Sequence, residues 1–175
     1  MNLNLILPLK KIKLRDKEIS IPKLGLKHHN LIKDVRDMSE NMGILLDSIC
    51  PGLTAAESDI VSLHLLEFNG KIKAESIKDG FTYKLNDIYI CQRLEFQFQG
   101  NTFYFRAPER YETFTTIDKM LDACFIKVNE STEKPNFLEM PAFVMKWADD
   151  ITNTIAIPGP QGPIKGTAKI LGLFE

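Results

Sequence analysis

The sequence predicts an α+β fold, with antiparallel strands in the centre and helices on either side. Three observations carry that prediction. Phe and Leu alternate with polar residues on both sides of Gly100-Asn101. A helix-start signal opens at Thr54, and a Pro/Gly-dense break at Pro158-Gly159-Pro160-Gln161-Gly162-Pro163 sets off an apolar C-terminal tail. At 175 residues the chain suits one domain, or one domain with an appendage, and can bury a core. Its 44% apolar and 26% charged content is ordinary for a globular protein.

Taken in order, Leu3, Leu5, Leu7, Ile12 and Leu14 alternate with polar residues and predict an N-terminal strand interrupted at Pro8. Lys17 to Ile21 alternates again and is ended by Pro22 and Gly25. A helix is expected from Leu26 to about Val35, with Leu31, Ile32 and Val35 on one face, and a short one from Gly43 to Cys50. Thr54-Ala55-Ala56-Glu57 reads as a capping box, in which the Thr hydroxyl takes a free N–H and the Glu reaches back. That helix turns Ile60, Leu63, Leu65 and Leu66 inward and stops at Asn69-Gly70.

The middle of the chain reads as β. Lys71 to Ile77 and Phe81 to Leu85 flank Lys78-Asp79-Gly80, and Asp-Gly favours a tight hairpin turn. Leu94, Phe96 and Phe98 pair with Phe103 and Phe105 across Gly100-Asn101 to give an aromatic-rich hairpin, which is a core stripe or else an edge for a partner peptide. Thr116 caps a helix carrying Ile117, Met120, Leu121 and Cys124 on one side. The polar stretch Asn129 to Asn136 is the linker candidate, dividing a 1–128 core with a basic N-terminal arm from a 129–175 unit. That second unit holds a helix-like stretch from Ala142 to Ile157, the Pro/Gly hinge as a stiff extended elbow, and the tail Ile164 to Phe174.

Charge is uneven. Met1 to Arg36 holds nine Lys/Arg against three acids, so a basic arm meets either solvent or an acidic partner. Nucleic acid is disfavoured, because Lys10, Lys11 and Lys13 have no aromatic interleaving or binding motif around them. Three cysteines (Cys50, Cys91, Cys124) at unrelated spacings suit a reducing compartment and buried thiols. The short N-terminal apolar run has its positive charges behind it, the reverse of a signal peptide, and no stretch approaches the roughly 20 apolar residues of a membrane helix.

Catalytic chemistry is thinly represented. His64 and Glu67 share a helix face at a spacing that supplies two zinc ligands in some metallopeptidases, but no His follows to be the third. Cys50 would need a nearby cation or helix N-terminus to become a nucleophile. Ser elbow, phosphate loop and dinucleotide fingerprint are all missing. No cofactor is implied.

An apolar chain end behind a Pro/Gly break needs a surface to cover it, on its own domain or on a neighbour. Ile170, Leu171, Leu173 and Phe174 are the candidate anchors, with Lys10, Lys11 and Lys13 as the second contact. Fully burying each large tail side chain is worth roughly 1.5–3 kcal/mol before ordering costs.

Several segments also resemble one family. They are LEMPAFVMKWADDI, AIPGPQGPI and GLFE at the C-terminus, with MNLNLILPLKK, ISIPKLGLKHHNLIKDV, DSICPGLTAAESDIVSLHLLEFNGKIK and YICQRLEFQFQGNTFYFRAP upstream. Together they resemble the baseplate hub distal subunit of T-even-type contractile-tailed phages over nearly the whole chain. The resemblance implies a non-enzymatic virion component of the tail baseplate hub, made and assembled in the host cytoplasm. It would join hub, central spike or tape-measure proteins. The alternatives are an assembly chaperone that leaves before the tail is complete, and an envelope-acting or zinc-dependent hydrolase carried by the tail. A membrane contact, if made, would use the C-terminal tail, although no Lys-rich amphipathic helix accompanies it.

Overall fold

The computed structural model describes residues 8–35, 37–109 and 112–175. The expected strand positions Leu3, Leu5 and Leu7 lie outside them. The fold is α+β, but among the described residues its strands fall into four small antiparallel sheets rather than one central sheet.

The chain enters as a hairpin, β1 (Leu9–Lys13) and β2 (Glu18–Pro22), paired Lys10↔Ile21 and Ile12↔Ile19. Alternation buries Ile12, Ile19 and Ile21 on one face. Helix α1 (Leu26–Ile32) is shorter than expected, and Leu31 is exposed. The inward position belongs instead to His28, whose Nδ1 accepts the Gly25 N–H at 2.8 Å and is thereby spent on capping. Helix α2 (Met38–Ile49) opens before the expected Gly43, because Asp37 caps it by accepting the Glu40 N–H at 2.8 Å.

Helix α3 (Ala55–Phe68) starts at the expected capping box: the Glu57 N–H donates to Thr54 Oγ1 at 3.2 Å and the Thr54 N–H to Glu57 Oε2 at 3.3 Å. It ends at Asn69, ahead of Gly70 at φ +74°, a left-handed stop. Ile60, Leu63 and Leu65 are buried as expected, but so are Ala56, Val61 and His64, while Leu66 is half-buried. The helix is therefore covered on several sides, packing against α2, β1, and the strands β5 (Tyr89–Ile90) and β9 (Ile155–Ile157).

Around α3 lies the first hydrophobic cluster, with Ile12, Ile21, Leu63, Leu65, Leu85, Ile155, Ile170 and Phe174 among its buried members. The hairpin of β3 (Glu75–Lys78) and β4 (Phe81–Lys84) turns at Asp79-Gly80, both at positive φ as its type requires. Residues 155–157 are strand rather than the end of a helix, and pair with β5 on one side and β10 (Ile164–Lys165) on the other. The Pro/Gly stretch is thus a chain reversal, with Ile164 opposite Ile157, and not an extended elbow. It delivers the last helix, α6 (Thr167–Phe174), back onto β3 and β9.

The second cluster is built on β6 (Glu95–Phe98) and β7 (Asn101–Phe105). Their turn is Gln99-Gly100, one residue ahead of the expected Gly100-Asn101, with both residues at positive φ and Asn101 already paired with Phe98. A third strand, β8 (Phe125–Val128), joins β7 and was not legible in the sequence. Helix α4 (Ile117–Cys124) buries Met120, Leu121 and Cys124 but leaves Ile117 exposed. Helix α5 (Val144–Thr152) lays Trp147 on Phe96 with stacked rings 5.0 Å apart. The aromatic stripe is core, since Phe96, Phe103 and Phe105 are all buried.

Both clusters draw residues from before and after position 128, so the expected 128/129 division follows neither of them. Asp150 of α5 helps join the clusters: it is buried between Lys165 at 3.8 Å and Arg93 at 3.9 Å.

Candidate functional site

Two residues singled out for metal chemistry and one singled out for docking come together in space. Lys10 projects from β1 onto α3, where its Nζ donates to Glu67 Oε2 at 2.6 Å and stands 3.4 Å from His64 Nδ1. The spacing of three residues that puts His64 and Glu67 on one helix face presents both to the same ammonium. His64 is buried, and its pKa is pushed down to about 4, first by burial and then by the Lys10 charge, with Glu67 opposing. It is a neutral acceptor at physiological pH. A second cation beside it would meet Lys10, and among the described residues no group of three or more His, Cys, Asp or Glu could hold a metal ion.

The same corner forms a groove of about 610 Å³. Lys10 to Arg15 make one wall; Asn86, Ile88, Tyr89 and Ile90 make the other; Ile60 and His64 are the floor. Each wall includes a strand edge, that of β1 on one side and that of β5 on the other. Among the described residues β1 has one neighbouring strand, β2, and β5 has one, β9. The phase of the hairpin follows from its ends. The Lys23 N–H donates to the Pro8 carbonyl at 3.0 Å and the Leu14 N–H to the Lys17 carbonyl at 2.8 Å. Even-numbered residues of β1 therefore turn their backbone groups to β2, and Leu9, Lys11 and Lys13 turn theirs away from it, the two lysines lining the groove. The side chains of Lys11 and Lys13 stay in water. Lys11 lies 3.7 Å from Glu18 across an exposed pair, while Lys13 and Arg15 make no ion pair with the described residues.

The tail residues sit elsewhere. Ile170 and Phe174 are fully buried in this chain's own first cluster, and Leu171 and Leu173 are half-buried against it. The Phe174 carbonyl accepts the Lys73 N–H at 3.0 Å, closing the helix end against the chain. Of the two covers the sequence leaves open, the folded chain supplies its own. As folded, Ile170 and Phe174 offer no surface to a neighbour.

Nor are Cys91 and Cys124 activated. The Cys91 thiol donates to the Asn153 carbonyl at 3.3 Å, and burial raises its pKa, as it does that of Cys124. All three cysteines are free thiols. Sequence reasoning missed the opposite wall, Ile88 to Ile90, because a two-residue strand shows no alternation to read. Arg15, just past the lysine cluster, was missed as well.

The class defined here is a small α+β protein whose most distinctive surface is a basic strand edge, unpaired among the described residues, rather than a constellation of reacting groups. The profile of one family, described as the baseplate hub distal subunit, matches residues 21–174. The chain belongs to that bacteriophage family. It is 62% identical over 177 aligned positions, covering 100% of both sequences, to the "Baseplate hub assembly protein gp28" of Enterobacteria phage T4. No solved structure matches the chain. Among the described residues no helix is long and apolar enough to cross a membrane.

Proposed function

We propose that this chain is a structural and assembly component of a phage tail baseplate hub, acting by protein–protein contact rather than by catalysis. Family membership and the full-length relative named for hub assembly support the assembly role. The observation that carries the mode of action is the groove between β1 and β5, whose rim is basic and whose walls include strand edges that pair with no further strand among the described residues. The partners would be other hub, central spike or tape-measure proteins of the same tail, and the product of their joining a virion component assembled in the host cytoplasm. Lys11 and Lys13 are the contact residues, with Lys10 holding β1 to α3 behind them. The tail acts indirectly: Ile170 and Phe174 complete the core, and the exposed backs of Leu171 and Leu173 are the part left for a neighbour.

Co-expression of the full chain with the hub, spike and tape-measure proteins of its own phage tests this. A stable complex of fixed stoichiometry is expected. A chain that remains a monomer beside all of them would overturn the reading. Mass spectrometry of purified particles then separates a virion component, present in fixed copy number, from a departing chaperone.

A further inference from the structure

We propose that the groove between β1 and β5 is a strand-addition site for an extended, acidic segment of a partner protein. The inference rests on the assembly reading and specifies how its contact is made.

The geometry asks for a peptide. The outward backbone of Leu9, Lys11 and Lys13 offers N–H donors and C=O acceptors in alternation, a pattern that another β-strand complements and a phosphate, having no donor to spare, does not. On the far side, the Cys91 N–H bonds the Thr154 carbonyl at 3.0 Å, which sets the phase of β5 and turns the backbone of Ile90 to the groove. One inserted strand could therefore pair on both sides and join the β1/β2 sheet to the β5/β9/β10 sheet. From Leu9 to Lys13, β1 gives it about 13 Å of edge at the usual strand rise. Its inward side chains would lie over Ile60 and neutral His64, and its outward ones beside Lys11 and Lys13.

Charge selects the occupant. Lys10, Lys11, Lys13 and Arg15 line the groove, and among the described residues no Asp or Glu does; Glu67 behind the groove pairs with Lys10, so the charge left to a partner is that of Lys11, Lys13 and Arg15. A second copy pairing through its own β1 would set these lysines against their counterparts, which is unfavourable for directly opposed like charges. This chain's own residues 1–7, MNLNLIL, carry no acid to meet them. A partner segment alternating carboxylates with apolar residues meets both requirements, and electrostatic steering would make its capture fast and salt-sensitive.

The test uses the full chain, isotope-labelled, with a short capped peptide in which Glu alternates with Val, and a control with Lys in place of Glu. The Glu peptide should bind saturably and slow amide exchange at Lys11 and Lys13. Lys10 and Ile12, already bonded to β2, should not change. Lys11→Glu/Lys13→Glu should weaken binding at least about tenfold. So should Lys13→Pro, which removes an outward N–H that β2 does not use. Lys169→Glu, a charge reversal on α6, should bind as wild type. Absence of binding, protection elsewhere, equal binding of the Lys peptide, or Lys11 and Lys13 amides already protected in the free chain would each overturn the proposal. The two readings fail separately. A hub complex that tolerates Lys13→Pro and both charge reversals keeps the assembly role and removes the strand site. Peptide binding at β1 without any hub complex does the reverse.

Discussion

Phe174 is the next-to-last residue of the chain and has no exposed surface, a combination that gives a sharp test of how the fold is closed. Replacing it with Ala removes a fully buried aromatic side chain from a cluster that also holds Ile155, Ile157, Leu63 and Leu65. Large-to-small changes of this kind cost about 3–5 kcal/mol, because lost transfer energy is added to a cavity that the surroundings only partly fill. Against a typical total of roughly 5–15 kcal/mol that is a large fraction of the stability. At about 2–4 °C per kcal/mol for a chain of this size, the melting temperature should fall by roughly 10 °C. Urea unfolding of the isolated chain, followed by far-UV circular dichroism, reads the loss as a lower midpoint at unchanged slope. A loss below about 1 kcal/mol would mean that the terminal helix does not contribute to the core in solution, and would refute the argument that the chain covers its own tail.

Other outcomes follow from single interactions. His64 is held near pKa 4 in the folded chain, below its ordinary 6.5, so the unfolded state takes up the proton first as pH falls. Its contribution is complete above about pH 6.5 and fades toward pH 4, a change of about 3 kcal/mol that His64→Gln should flatten in unfolding curves across that window. Lys10→Met should raise the His64 pKa as seen by NMR titration, since the Lys10 charge is the second cause of its depression. Gly100 sits at φ +75° in the aromatic hairpin, so Gly100→Ala should cost about 1–2 kcal/mol, whereas Gly172→Ala, in α6 with open space around it, should stabilise by up to about 1 kcal/mol. Trp147, the only tryptophan, reports on the second cluster; with Asp150 bridging to Lys165 and Arg93, its fluorescence transition should coincide with the far-UV transition.

The parts of this fold that were legible in the sequence are those fixed by neighbours along the chain. The Thr54/Glu57 cap is three residues of local chemistry, and Asp79-Gly80 is a turn that only permissive residues enter. The aromatic hairpin was legible in its alternation, but its turn slipped by one residue because Gln99 adopts a positive φ that its side chain does not announce. What escaped is set by distant contacts. Residues 155–157 look like the end of an apolar helix until β5 and β10 pair with them. The apolar tail reads the same whether it covers its own core or a neighbour's, and only the tertiary fold decides. His64 and Glu67 were singled out for metal chemistry and Lys10 for docking. Nothing local indicates that residues more than fifty positions apart would meet.

We propose that this chain works in hub assembly through the basic edge of β1. Complementation of a phage whose own copy of the gene is disabled, scored by electron microscopy of the tails, tests it most directly. Wild-type chain supplied in trans should restore complete baseplates, and a folded Lys11→Glu/Lys13→Glu chain with unchanged melting temperature should not. Complete tails from the charge-reversed chain, or from cells that supply no chain at all, would contradict the account.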